Sequence, residues 1–240
     1  MLERLILNSY YIMAFLLRCI IVYYTIKTAR RSNLIAYYAL SVHLFLEGIV
    51  NLFLGAGIPN DIPFLLLGIA MAIFIKLTFY KEGNNGPFYL VLIIMISMWI
   101  LYFILLIFAK NLIIVILIPY IIAIIISIWF FIVSLSAYLK FKANESIKPW
   151  IKTRYLLVIG YNIIFIFGQS LFIINNVLGG EGINIFSLGL MISFIILPIL
   201  QFLAWVMPAR FKNWLNRNYT YGDEEIELSD EEIMKTFEGK

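Results

Sequence analysis

Residues 112–139 read LIIVILIPYIIAIIISIWFFIVSLSAYL, a run that contains no charged side chain. A helix of about 20 apolar residues crosses the roughly 30 Å hydrocarbon core of a bilayer, so this run is long enough to span one. Strands are excluded because the run is continuously apolar rather than alternating at every second residue. The stretch therefore predicts a transmembrane helix.

The whole chain has the composition of a polytopic membrane protein. Of its 240 residues, 63% are hydrophobic and only 13% are charged, and the mean hydropathy is +0.96. A soluble protein needs about a quarter of its residues charged to cover its surface, so that class is excluded. We predict an all-α bundle of seven transmembrane helices with antiparallel neighbours, at residues 8–28, 33–54, 62–80, 87–108, 112–139, 151–175 and 183–207.

Lysine and arginine are distributed unequally between the two sides of this bundle. The N-terminus and the loops after spans two, four and six carry only Arg4 and Lys110. The other side carries Lys27, Arg30, Arg31, Lys81, Lys140, Lys142, Lys148, Lys152, Arg154, Arg210, Lys212 and Arg217. Because cytoplasmic loops are enriched in basic residues, we expect the N-terminus outside and the C-terminus in the cytoplasm. We expect an integral protein of the plasma membrane, with residues 1–207 as its transmembrane domain.

The C-terminal part divides into a basic segment and an acidic tail. Residues 208–221 predict a short amphipathic helix that lies on the inner leaflet, with Phe211, Trp214 and Leu215 on one face. Residues 222–240 hold 8 of the 14 acidic residues and a capping box at 229–232. This tail is either solvated or bound to basic groups. Phe211, Trp214 and the tail are the predicted surface for a cytoplasmic signalling partner, and we expect no nucleic-acid partner.

Charged and amide side chains inside the predicted spans are the main internal sign of function. Each is unfavourable in hydrocarbon unless it is paired or faces a cavity. Arg18 lies near the middle of span one, and His43 and Glu47 lie four residues apart on span two, with Asn51 continuing that face. A rise of about 1.5 Å per residue puts these heads at depths where they can meet. We predict an Arg18–Glu47 ion pair with His43 beside it.

Span six carries a second polar stripe. Tyr155, Asn162 and Gln169 are separated by seven residues, which returns them to nearly the same helix face. Asn162 lies at about the depth of Arg18, whereas Gln169 and Asn51 lie nearer the outside, so a polar column that opens outward is expected. The alternative is structural pairing through interhelical bonds. The candidate ligand-binding residues are Arg18, His43, Glu47, Asn51, Asn162 and Gln169.

Enzymatic and metal chemistry find little support in the sequence. One histidine and one cysteine are too few for a His/Cys zinc site or a bis-histidine haem. No phosphate-binding glycine loop, HExxH motif or repeated acidic motif occurs in the sequence. We therefore expect no enzyme activity, no cofactor and no metal.

The architecture resembles that of seven-helix receptors. Seven spans, Pro198 in the last one and a basic segment after it are similar to G-protein-coupled receptors and microbial rhodopsins. Residues 205–215, WVMPARFKNWL, resemble the end of the last helix in the seven-helix sensor modules of prokaryotic histidine kinases. A rhodopsin's retinal-bearing lysine is missing from residues 183–207, which excludes a Schiff-base retinal. The resemblance implies a sensor or receptor.

Three classes of function remain open from the sequence. The leading hypothesis is a stand-alone membrane sensor with an outward-opening site for a small molecule or lipid, which signals to a separate cytoplasmic partner. The alternative is a transporter or channel that uses Arg18, His43 and Glu47 as a proton or ion relay. The chain is similar in size to small seven-helix sugar transporters, but spans one, two and six contain no proline. The third class is a structural or assembly factor.

The charge bias makes a direct prediction about topology. A reporter fused to the C-terminus should be active only in the cytoplasm, and reporters inserted after Gly57 or Gly180 should be active only outside, because the basic loops stay inside. Alkaline phosphatase and green fluorescent protein fusions measure the two sides. Active phosphatase at the C-terminus would contradict the orientation.

Overall fold

The computed structural model describes residues 2–56, 61–80, 85–108, 113–142, 144, 147–178 and 184–217, and all its elements there are α-helices. Seven of them are long and apolar enough to cross a membrane. The predicted all-α bundle of seven helices with a short eighth helix is confirmed, while the capping box at 229–232 lies outside the described residues. The helices are α1 Leu2–Ser32, α2 Ile35–Ala56, α3 Asp61–Phe79, α4 Gly86–Phe108, α5 Ile113–Lys142, α6 Pro149–Val177, α7 Ile185–Trp205 and α8 Ala209–Asn216.

Several helices extend beyond the apolar blocks that predict them. Helix α1 continues through two arginines to Ser32, and α6 begins at Pro149, two residues before the predicted span. Hydropathy marks only the part of a helix in hydrocarbon, whereas the helix itself continues into the headgroup layer. Helix α1 ends where Asn33 adopts a left-handed conformation with φ of 54°, which asparagine tolerates better than most residues.

Consecutive helices pack antiparallel at the two closest interfaces. Between α1 and α2, Thr25 bonds to Ser41 and Arg18 bonds to Glu47, so the residue number rises along one helix as it falls along the other. Between α6 and α7, a Cβ atom placed on Gly168 would lie 3.2 Å from the Cβ of Ser193. Small residues allow this close approach of helix backbones, as in many membrane interfaces.

Helix α4 stands outside a ring formed by the other six spans. The contacts run from α1 through α2, α3, α5, α6 and α7 and back to α1, and α4 packs against α3 and α5 from outside. Its buried residues form a single stripe, Phe88, Val91, Met95, Trp99 and Tyr102. Lipid chains are as apolar as leucine, so nothing drives an uncharged, isoleucine-rich helix toward the centre.

One end of the bundle carries most of the described lysine and arginine residues, and we call it the basic end. It contains the starts of α2, α4 and α6 and the ends of α1, α3, α5 and α7. There the chain turns at Met207, whose φ is 42°, from α7 into α8. Phe211 and Leu215 of α8 pack on a buried cluster that includes Phe141, Trp150 and Met207. Helix α8 therefore covers the α5–α6 side of the basic end.

Two glycines differ in how closely they are packed: Gly48 lies in the α1–α2 interface, and Gly160 lies on α6. A Cβ on Gly48 would lie 3.0 Å from Cδ2 of Phe15, whereas a Cβ on Gly160 has its nearest neighbour at 3.9 Å. Both changes to alanine improve helix propensity by about 1 kcal/mol, but only Gly48→Ala crowds a ring. Gly48→Ala should unfold at lower temperature in micelles than Gly160→Ala. Equal melting temperatures would contradict the close packing at Gly48.

Candidate functional site

The centre of the bundle holds a buried ion pair. Nη2 of Arg18 on α1 lies 2.7 Å from Oε1 of Glu47 on α2, and the two side chains are 2% and 8% exposed. Nη1 of Arg18 also donates to the carbonyl of Ala14, at 3.4 Å. The glycine at position 48 brings the two helices close enough for the short Glu47 side chain to reach Arg18. The predicted Arg18–Glu47 pair is present.

A third helix completes this pair through Gln201, which the sequence analysis did not single out. Nε2 of Gln201 on α7 donates to Oε2 of Glu47 at 2.7 Å, so each carboxylate oxygen accepts a hydrogen bond from a different helix. Gln201 is 1% exposed. The sequence does contain a signal for it: Gln201 is an amide in the otherwise apolar half of span seven nearest the basic end, and a buried amide requires partners. Arg18, Glu47 and Gln201 are called the core triad below.

His43 lies beside the triad without bonding to it. Its Nδ1 is 3.1 Å from the carbonyl oxygen of Leu67 on α3, and its Nε2 has no hydrogen-bond partner among the described residues. A carbonyl oxygen only accepts, so Nδ1 carries a hydrogen. The His43 ring therefore ties α2 to α3, and its Nε2 has no partner among the described residues.

The remaining candidate residues are buried, and the side-chain hydrogen bonds of Asn51 and Asn162 go to backbone carbonyls rather than to the side chains of the triad. Nδ2 of Asn51 donates to the carbonyl of Glu47, and Nδ2 of Asn162 donates to that of Val158, each within its own helix. The side-chain oxygens of Asn162, Gln169 and Gln201 have no partner among the described residues. The polar stripe on α6 is buried, as predicted. Its amide oxygens are hydrogen-bond acceptors that have no donor among the described residues.

Tyr161 connects this stripe to the triad. It is buried on α6 beside Asn162, and its hydroxyl interacts electrostatically with Glu47, Arg18 and Gln201. Four helices, α1, α2, α6 and α7, thus meet at one polar layer. The loops at 57–60 and 179–183 lie outside the described residues, so the predicted outward opening of this layer remains a prediction.

Of the two aromatic residues predicted to contact a cytoplasmic partner, one is packed against the bundle and the other is exposed. Phe211 packs on the buried cluster, while Trp214 is 54% exposed and stacks on Phe211 with ring centroids 5.9 Å apart. The ring of Trp150 on α6 is contacted by two cations, Nζ of Lys212 on α8 at 3.9 Å and the guanidinium of Arg154 on α6 at 4.9 Å. The Lys212 contact helps to hold α8 against α6, and Trp214 is the exposed aromatic residue of α8.

Chemically, the triad favours pairing over proton transfer. Both oxygens of Glu47 accept bonds from fixed donors, and protonating this carboxylate would remove the negative charge that strengthens both bonds and neutralises Arg18. The candidate residues also present groups without a hydrogen-bond partner among the described residues, namely one imidazole nitrogen and three amide oxygens.

The sequence matches no protein-family model, no curated protein and no solved structure.

Substitutions in the triad test whether it is a connected unit. Glu47→Gln should lower the free energy of unfolding by about 3–5 kcal/mol, as in soluble proteins, because Arg18 is left as an uncompensated buried charge. Asn51→Ala is the control, since its amide bonds only to its own helix, and it should change stability by less than about 1.5 kcal/mol. Unfolding by sodium dodecyl sulfate in mixed micelles measures both.

Apolar replacement should restore the stability. Arg18→Met with Glu47→Leu removes both charges but leaves the Gln201 amide without its acceptor, so the triple variant that adds Gln201→Leu should exceed the double variant by about 1–3 kcal/mol. Identical stability of the double and triple variants would show that Gln201 does not belong to the triad. A Glu47→Gln protein as stable as the parent would show that the pair itself is absent.

Proposed function

We propose that the protein is a membrane sensor or receptor-like protein and not an enzyme. In this proposal a small molecule or lipid binds in the half of the bundle beyond the core triad, and the change reaches a separate cytoplasmic partner. The observation that carries the proposal is the triad itself. A single buried carboxylate joins α1, α2 and α7, so a group that competes for it changes three helices together.

A buried ion pair is better suited to choosing between arrangements than to adding stability. Removing two charges from water offsets most of their attraction, so apolar residues would pack the same space at least as firmly. The pair does fix which helices meet and at what register. A ligand shifts such a bundle only if it binds one arrangement more tightly than the other, and opening or closing of the triad supplies the two arrangements.

Helix α7 supplies a physical path from the triad to the basic end. Gln201 lies about one and a half helical turns before Met207, where the chain turns into α8. Helix α8 is held against α6 by the contacts of Lys212 and Phe211. Movement of α7 at Gln201 therefore shifts the start of α8, and the exposed ring of Trp214 moves with it.

The unpartnered side-chain oxygens on α6 indicate which chemical groups a ligand of this site would carry. Asn162 and Gln169 offer amide oxygens with no donor among the described residues, and both side chains are buried. Acceptors of this kind recognise a ligand that carries hydroxyl or amine hydrogens. A hydroxyl-bearing small molecule or lipid headgroup therefore fits the proposal better than an anion does.

A transporter or channel is the second candidate, and one observation favours it. The free Nε2 of His43 lies near Glu47, and histidine ordinarily titrates near neutral pH. A proton-coupled transporter requires a group of this kind at mid-membrane. The two hydrogen bonds that Glu47 accepts oppose this candidate, because a proton relay needs a carboxylate that exchanges its partners easily.

Reconstitution in liposomes separates the two candidates. With a pH-sensitive dye inside, both the parent protein and His43→Gln should show no proton movement when a solute gradient is applied. Proton movement that depends on the solute and is lost in His43→Gln would replace the sensor by the transporter.

The ligand side of the proposal has its own prediction. In a screen of hydroxylated solutes and lipids, a ligand at 100 times its Kd should stabilise the parent by about 2.7 kcal/mol. Gln169→Leu should lose this effect, while Ser127→Ala, on α5, should keep it. Thermal unfolding in nanodiscs measures the shift. A ligand that stabilises Gln169→Leu as strongly as the parent would rule out the α6 stripe as its site.

A further inference from the structure

The basic end contains a cavity whose lining includes neither the core triad nor His43, Asn51, Asn162 or Gln169. Its volume is about 40 Å³, enough for about three water molecules. It lies among five helices of the ring, α2, α3, α5, α6 and α7, on the side opposite to the predicted outer site. The side chains that define its chemistry are Tyr37, Thr78, Ser134, Arg154 and Trp205.

Two hydroxyl groups face this cavity without any hydrogen-bond partner among the described residues. Ser134 is 0% exposed and its Oγ is unpartnered, and so is Oγ1 of Thr78. Other serines in the spans behave differently: Ser41, Ser170 and Ser193 each donate to the carbonyl four residues earlier. Ser134 does not make this bond, so its hydroxyl hydrogen is available to a group in the cavity.

The charge of the cavity wall indicates which kind of ligand group the cavity would bind. Arg154 lines the cavity, and its Nη1 donates to the hydroxyl of Tyr37 at 3.4 Å. None of the described lining residues is acidic. Two unpartnered hydroxyls and a guanidinium surround a space whose described walls carry no carboxylate, and this combination suits an anion.

The size and the remaining walls narrow the choice to a carboxylate. Space for about three water molecules matches the three heavy atoms of a carboxylate group. The other walls are apolar rings, including Phe74, Phe130 and Trp205, which suit the carbon chain of an organic acid better than a fully hydrated ion. We propose that this cavity binds the carboxylate group of an organic acid, independently of the sensor function proposed above.

The acid has two possible sources, and the structure offers a path for each. One is a short carboxylate that enters from solution at the basic end. The other is a fatty acid from the bilayer, because Phe79 lines both the cavity and a second space of about 250 Å³ between α3 and α5. That lateral groove contains Lys140 and the exposed side chain of Ile132, so it faces the lipid near a cationic group.

The test measures binding of two acids to the full-length protein in phosphatidylcholine nanodiscs. Butyrate and laurate, each labelled with ¹³C at the carboxyl carbon, are titrated and followed by NMR, with laurate methyl ester as the uncharged comparison. Ser134→Ala should weaken carboxylate binding about tenfold or more, since a hydrogen bond to a charged group is lost. Ser127→Ala, one heptad earlier on α5 and outside the cavity, should bind like the parent.

The unliganded variants provide a check on folding. Because Oγ of Ser134 has no partner to lose, Ser134→Ala should melt at the same temperature as the parent or above it. Saturable binding that is weakened by Ser134→Ala supports the proposal, with laurate indicating the lipid source and butyrate the soluble one. Absence of saturable binding of either acid, equal binding by Ser134→Ala, or equal binding of the methyl ester would overturn it.

Discussion

An arginine inside hydrocarbon has to find its neutralising partner in the protein, because water is not available there. Arg18 is 2% exposed and meets this requirement through Glu47, and the second oxygen of Glu47 accepts from Gln201. The rest of the architecture is consistent with this one requirement. Helices α1 and α2 approach closely at Gly48. Helix α7 packs against α1 although the two helices are far apart in the sequence. The ring of six helices closes at the point where the charge is paired.

The same physics explains what stays outside the ring. In a bilayer, apolar side chains are as well accommodated by lipid as by protein, so helices are held together by small residues and polar bonds. Helix α4 has no charged residue and buries only one stripe, and it lies at the periphery. The ring helices instead meet through polar contacts such as Thr25–Ser41 and through glycines such as Gly168.

Sequence patterns predicted the parts of the structure that depend on local physics. Hydropathy predicted seven spans, and the depth of Arg18 and Glu47 predicted their pairing. Gln201 was not singled out, and depth alone would not have paired it with Glu47: about 1.5 Å per residue from the predicted span ends puts Gln201 about 9 Å deep and Glu47 about 20 Å deep, whereas their side chains are hydrogen-bonded. The relative shift and tilt of two packed helices decide which side chains meet, and a local pattern does not encode them. The peripheral position of α4 and the cavity beside Ser134 depend on how six helices pack together, which no single segment contains.

The central claim is that the Arg18–Glu47 pair exists in the bilayer and orders the bundle around it. Magic-angle-spinning NMR in lipid, with ¹⁵N in the arginine side chains and ¹³C in the glutamate carboxyl groups, measures this directly. The parent protein should show strong dipolar dephasing for one guanidinium–carboxylate pair, consistent with the 2.7 Å contact, and Glu47→Gln should lack it. A parent spectrum with the same dephasing as Glu47→Gln would mean that Arg18 is compensated in another way, and the account of the fold and of the sensor would fail with it.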